Sequence, residues 1–549
     1  MLSSLTQWIV SLIIIKGLHT KCPYGATSQT PFSAAMELRN KKLFGKIHRI
    51  HSHIKDFSDE ATQDRSDQNH VWNVGKVELM VRATCEGLVP ICNDTEYRAF
   101  NGVCNNLENP TWAAANTGFK RLLPPEYEDG IGKPKGGFTL AARTGLSLPT
   151  PRFVSQQCTG HSFNQTQFPY TDLFTAFGQF LSHDLSLSPE ATDQGCCLNP
   201  TGHECFPIPV PSGDSFFSQQ NQTCLDFRRT VPFCIKQGEI REQLNSLTSV
   251  IDANNVYGSD VETNAKLRTK VDGLMLINSN YTDELLPVIN GSLTAGEIRF
   301  KESPMLASLH TLFLREHNRL AREVAKYSSS SDDEFIFQTA RNILIAEMQS
   351  IVYNEYLPIL LGPSLMKSMD IWIKKKPKSF YNASVDPSIS NSFATASFRF
   401  GHSMLLDNIT LRDVTFDNIT QFPLHKELFN PQLYFANNGQ GVDEIIYGLM
   451  KGASKLSGTD FSHELTDLLL LNGTQFGSND LLSRNIQRGR DHGLPGYNSF
   501  RELCGLQRIE SMMSAEPPTY ISNKKWSLLK QIYSTPDDID LYVGGNMDI

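Results

Sequence analysis

The sequence predicts a mainly α-helical protein, built as one large domain with little β structure. Apolar residues recur at helical spacing from Cys92 onward, separated by Pro/Gly-rich loops. Alternating strand patterns are scarce. No internal repeat or long low-complexity linker divides the chain. Its 549 residues would allow three or four domains at roughly 150 residues each, yet the pattern continues without a break. With 40% hydrophobic and 20% charged residues, the composition is that of a folded chain. A net charge of -8 disfavours nucleic acid as a partner, because phosphate neutralisation needs a basic surface. No stretch approaches the ~20 apolar residues that span a bilayer, so stable membrane insertion is not expected.

Taken in chain order, residues 1–20 read as a signal peptide. Trp8 to Ile15 form a short apolar run ahead of Lys16, although no Lys or Arg precedes it. Residues 21–91 read as a polar pro-segment or N-terminal extension. His48, His51 and His53 lie there. No carboxylate or cysteine stands at matching metal-ligand spacing, so a solvated polar segment is the favoured reading. Asn-x-Ser/Thr acceptors begin at Asn93, Asn164, Asn221, Asn280, Asn290, Asn382, Asn408, Asn418 and Asn472. With the cysteines clustered at Cys196, Cys197, Cys205, Cys224 and Cys234, they point to a secreted, extracellular protein. The 11 cysteines are odd in number, which leaves at least one without an internal partner.

The stretch DLFTAFGQFLSHDLSLS, Asp172–Ser188, has Phe174, Phe177 and Leu181 at helical spacing. Gln179 and His183 are i,i+4 and share a helix face, suited to moving a proton and orienting a small polar ligand. Asp184 is rotated about 100° away and serves a different site. In LTSVIDANNVYGS, Thr248, Asp252 and Asn254 alternate with Val250, whose carbonyl is a fourth candidate donor. Oxygens at every second position of an extended loop suit a hard cation such as Ca²⁺, and Asp184 can add a carboxylate. In AGEIRFKES, Arg299 and Glu302 are i,i+3. An Arg beside a His is the pairing that peroxide cleavage needs: one moves the proton, the other stabilises the developing anion. Leu306, Leu309, Phe313, Leu320 and Val324 then predict a helix. Ile343, Leu344, Met348, Ile351 and Val352 predict another, closed by Pro358. In ASFRFGHSMLL, Arg399 and His402 are i,i+3, and Phe398 and His402 are i,i+4. An apolar helix presenting one His is similar to a proximal haem ligand, with Arg399 free to meet a propionate. Asn485, in RNIQRGRDHGLPGYN, is the candidate acceptor that fixes the His402 ring. Taken one at a time, these segments also read as a core histidine, an Asx-rich turn and a surface salt-bridge turn.

Together the motifs are long, and the chain from Cys92 to its end resembles the animal haem peroxidase family. The resemblance begins at YRAFNGVCNNLENPTWAAANTGFKRLLPPEYEDG. It runs through FGQFLSHD, LTSVIDANNVYGS, AGEIRFKES with SLHTLFLREHNRLA, FRFGH, and RNIQRGRDHGLPGYNSFRELCGL in the family's order. It implies the family's helical fold over residues 92–549, a haem b cofactor and Ca²⁺. His183 matches the distal acid/base, Gln179 the distal glutamine and Arg299 the catalytic arginine. His402 matches the proximal haem ligand and Asn485 its hydrogen-bond partner. Asp184, Thr248, Val250 (through its carbonyl), Asp252 and Asn254 match the calcium ligands, Asn254 standing where Ser is frequent. Glu302 matches the glutamate that can ester-link to haem. The position of a second ester carboxylate holds Ser182, and Ser303 stands where a methionine would make a vinyl link. One ester at most is therefore expected, through Glu302.

The implied activity is a secreted peroxidase. It reduces hydrogen peroxide and oxidises a small donor: halide, thiocyanate, phenol or protein tyrosine. The alternatives are a degenerate peroxidase acting as an extracellular structural or binding protein, and a lipid oxidase on the same scaffold. The family runs on beyond TPDDIDLYVGGNMDI and supplies further cysteines there, so the expectation is a domain lacking its C-terminal part, with Cys504 separated from its usual partner. Cys92–Cys104 is an expected pair, and two bridges are expected among Cys196, Cys197, Cys205 and Cys224. The oligomeric state stays open.

Overall fold

Helical spacing in the sequence becomes helices in the computed structural model. It describes residues 90–548 apart from 94–95, 137–146, 160–166, 193–194, 201, 203, 235–237, 329–330, 372–380, 471–477 and 519. The signal-like segment, the polar extension and His48, His51 and His53 lie outside the described residues.

Helix α1, Pro151–Cys158, starts with proline, whose missing N–H costs nothing at a first turn, and Thr150 accepts from the Phe153 amide. Helix α2, Asp172–Leu185, buries Phe174, Phe177, Phe180, Leu181 and Leu185 in the core. It follows strand β1, Gln167–Thr171. Helix α3, Pro304–Tyr327, is 24 residues long and opens on the same logic: Pro304 in its first turn, and Ser303 accepting from the Leu306 amide. The predicted Leu306, Leu309, Phe313 and Leu320 face is buried. Phe313 stacks on Phe180 of α2 at 4.8 Å between centroids, tying the two helices together.

Helix α4, Asp333–Ile351, packs along α3. Here one expectation fails. The chain does not stop before Pro358. It passes through a π-helical turn, Val352–Tyr356, into a short helix, Leu357–Leu361, with Pro358 in its first turn. The wider turn restarts the hydrogen-bond ladder, so Pro358 occupies a position where no intrahelical N–H is needed.

Strands β2 (Asn408–Arg412) and β3 (Asn418–Pro423) form an antiparallel hairpin, and helix α5, Gly441–Lys451, lies against β2. That approach depends on Gly448, where an added Cβ would sit 1.8 Å from the Thr410 carbonyl oxygen. Strand β4, Ala453–Lys455, pairs with β1. Helices α6 (Leu481–Asp491), α7 (Tyr497–Leu503) and α8 (Leu541–Met547) close the described chain, with α8 against both α6 and α7. The β structure comprises five small sheets of two or three strands among the described residues. The architecture is therefore mainly α.

One large apolar core joins these helices. A satellite of Phe206, Ile208, Phe217, Leu225 and Phe227 sits beside two disulfides, Cys196–Cys205 and Cys197–Cys224. Cys92–Cys104 is also formed, as expected, and Cys234 is disulfide-bonded. No helix among the described residues is long and apolar enough to cross a membrane.

Candidate active site

Gln179 and His183 do project from one face of α2, one turn apart. The segment Ile298–Glu302 approaches that face as a 3₁₀ turn. Three residues per turn place Arg299 and Glu302 on the same side, which explains the i,i+3 spacing. Gln179 donates to Glu302 at 3.1 Å, and the Glu302 carboxylate lies 3.9 Å from His183 Nε2. Burial pushes the Glu302 carboxyl up to about 7, with Arg299 pulling the other way. Its side chain keeps 34% exposure, on the cavity it lines. His183 is buried, and burial followed by the Arg299 charge holds its imidazole well below the ordinary range.

Arg299 is held by a residue that sequence reading passed over. Glu297 is 3% exposed, accepts from Arg299 Nε at 2.7 Å and from the Arg299 amide at 3.0 Å, and lies 3.5 Å from His183 Nδ1. Arg299 also donates to the Ser186 carbonyl at 2.8 Å. The available signal was a carboxylate two residues before Arg299, at the N-cap of the turn.

Across the cavity stands His402, on Ser397–Met404. This segment is a 3₁₀ run, not the expected apolar α-helix. The i,i+3 pair Arg399 and His402 therefore shares a side, while Phe398, also on the cavity wall, stacks on Phe393 at 4.7 Å. Burial, then Arg399, pushes the His402 imidazole down to about 3. Asn485, fully buried on α6, meets His402 Nδ1 at 2.8 Å. Its polarity differs from the expected acceptor. Arg399 can only donate and takes Asn485 Oδ1 at 3.0 Å, which leaves the amide nitrogen facing His402.

Both sides open on one cavity of about 870 Å³, lined by Gln179, His183, Arg299, Glu302, Arg399 and His402. One lobe is basic. Glu190 accepts from Arg228 at 3.0 Å and from Arg484 and Arg488 at 2.6 Å each. With Arg399 and Asp226 also on the wall, four guanidiniums face two carboxylates, an excess that suits anionic groups. Arg484 and Arg488 are i,i+4 on α6, a spacing that could have identified them.

Behind His183, Asp184 and the 247–259 loop form a buried polar cluster. Thr248 donates to Asp252 at 2.8 Å, and Asn254 donates to Thr248 at 2.8 Å and to the Asp184 carbonyl. Asp184 Oδ1 and Asn254 Oδ1 are buried without a hydrogen-bond partner. Burial, then the neighbouring Asp252, pushes the Asp184 carboxyl well above the usual range. Two carboxylates, a hydroxyl and an amide oxygen with lone pairs to spare fit a hard cation. Arg98 reaches Asp252 at 3.2 Å from outside. Half-buried Val250 lies in the same loop.

The animal haem peroxidase family model matches residues 97–548. Lactoperoxidase from Mesocricetus auratus is 37% identical over 517 residues, covering 86% of this chain and 70% of that protein. Thyroid peroxidase from Sus scrofa is 31% identical over 601 residues, covering 97% of this chain and 64% of that protein. The chain thus spans less than two thirds of the thyroid peroxidase length. The solved structure of peroxidase A from Dictyostelium discoideum is 30% identical with a TM-score of 0.67, covering 82% of this chain and 86% of that one.

Proposed function

The chain belongs to the animal haem peroxidase family, and from that premise we propose a secreted peroxidase that reduces hydrogen peroxide and oxidises a small donor. The donor classes that fit are halide, thiocyanate, phenol and protein tyrosine. One observation carries the reading: His183 with Arg299 and His402 with Asn485 face each other across one cavity.

Haem b fits this cavity. His402 would hold the iron through Nε2, Arg399, Arg484 and Arg488 would take the propionates, and Glu302 would form at most one ester. Bound there, haem supplies the redox chemistry, drawing two electrons from donors for each peroxide reduced. Were Arg399 engaged by a propionate, Asn485 Oδ1 would be released from it, and the turned amide would accept from His402 Nδ1–H and leave the Nε2 lone pair for the metal.

The chain's own residues handle the proton. Glu297 is the carboxylate nearest His183 Nδ1, which favours the tautomer with its lone pair on Nε2. That atom accepts a proton from one peroxide oxygen and delivers it to the other, which leaves as water. Arg299, clamped by Glu297 and Ser186, stabilises the charge that develops as the O–O bond breaks. Gln179 and Glu302 orient the incoming peroxide. Asp184, Thr248, Asp252, Asn254 and the Val250 carbonyl would hold Ca²⁺ and keep the end of α2 in register.

His183→Ala should retain the Soret band of the haem-loaded protein and slow its reaction with peroxide by about 10²–10⁴-fold. Loss of the band itself would make His183 a structural residue. Acid-organic extraction should leave part of the haem on the polypeptide, and complete release would exclude the Glu302 ester.

A further inference from the structure

The π-helical turn Val352–Tyr356 ends on a tyrosine that the chemistry above does not use. Such turns are often retained where they aim a side chain. Tyr356 is buried, and its ring lines the cavity. Its hydroxyl lies 2.6 Å from where a Cβ at Gly178 would stand, so only glycine lets the phenol lie this close to α2, one position before Gln179.

From that phenol a line of rings leads outward. Phe174, also on the cavity wall, stacks on Tyr356 at 4.6 Å between centroids and 19° between planes. Tyr170 follows at 6.4 Å and 31°. It stands on β1, 41% exposed. The order phenol, benzene ring, phenol has a chemical sense. Phenols give up an electron far more readily than phenylalanine, so Phe174 acts as a contact between two oxidisable ends. A phenol also loses its proton on oxidation. Tyr170, at the surface, can release it to bulk water, and Tyr356 is one of the residues lining the cavity.

We propose that Tyr170 is a surface oxidation site, connected to the cavity through Phe174 and Tyr356, which takes electrons from tyrosyl side chains of macromolecules too large to enter. The proposal rests on the peroxidase reading above. For each H₂O₂ reduced to two waters, two electrons pass inward from Tyr170, and two protons from the medium complete the waters. Each Tyr170 phenoxyl recovers an electron and a proton from a donor phenol in contact with it. Two donor phenoxyl radicals then join carbon to carbon as dityrosine.

The test uses haem-loaded protein with hydrogen peroxide and the spin trap 2-methyl-2-nitrosopropane, with no small donor present. Peptide mass spectrometry should place the adduct on Tyr170. Tyr170→Phe should lose that adduct and lose peroxide-driven dityrosine formation on serum albumin, while guaiacol oxidation is unchanged. An adduct absent from Tyr170 in the parent protein, or albumin cross-linking retained by Tyr170→Phe, overturns the proposal. If the parent protein fails to oxidise guaiacol, the peroxidase reading falls, and the surface site falls with it.

Discussion

Glu297 shows how much one buried carboxylate can organise. Its two oxygens accept from the side chain and the backbone of Arg299, so the guanidinium cannot swing toward solvent. The same group lies 3.5 Å from His183 Nδ1. Burial raises its carboxyl, and the Arg299 charge and hydrogen bonds oppose that rise. Glu297→Gln would leave one acceptor and one amide donor where the Arg299 guanidinium and backbone amide together need two acceptors. The variant should bind haem normally and react with peroxide at least about tenfold more slowly, a barrier increase of ~1.4 kcal/mol. Stopped-flow mixing with peroxide measures this, and an unchanged rate would release Glu297 from any positioning role.

At the scale of the element, α2 carries unbalanced charge at both ends. At its start, Asp172 is buried, its Oδ1 lacks a hydrogen-bond partner, and burial alone pushes its carboxyl up to about 7. The folded protein therefore binds this proton more tightly than the unfolded chain. Stability should fall as pH rises from about 4 through about 7, by up to ~4 kcal/mol from this group. Asp172→Asn should flatten the fall in Tm between pH 5 and 8, and parallel curves for the two proteins would count against it. At the other end, Asp184 faces Asp252 with oxygen atoms to spare. Calcium should raise the Tm of the parent protein, with a gain in stability of ~2.7 kcal/mol at a hundredfold excess over Kd. Asp252→Asn should weaken that response, and an equal response in both proteins would move the cation elsewhere.

Across the whole molecule, the described surface agrees with passage through a glycosylating compartment. Asn93, Asn221, Asn280, Asn290, Asn382 and Asn408 are all exposed. The three disulfides with both partners described join segments 9 to 27 residues apart, and two of them hold the small satellite core. Expressed through a eukaryotic secretory pathway, the protein should lose mass on treatment with peptide N-glycosidase F. An unchanged mass would argue against secretion.

Local rules settled a great deal. Periodicity placed α2 and α3, because burying one helix face needs only residues three and four apart. The i,i+4 pair Gln179 and His183 and the i,i+3 pairs Arg299/Glu302 and Arg399/His402 were legible for the same reason, although the last two lie on 3₁₀ turns rather than an α-helix. Pro358 misled, because one residue cannot announce the π-helical turn that accommodates it. Glu297 and the Arg484/Arg488 pair left local signals, but the contact of Glu297 with His183, the joining of Arg228 to the basic lobe and the ring line from Tyr356 to Tyr170 were not legible. Each joins residues far apart in the chain, or depends on which partner wins a shared atom. Asn485 is the clearest case. Sequence put it beside His402, but which of its atoms faces the ring depends on Arg399 competing for the same carbonyl, and only the folded arrangement decides that.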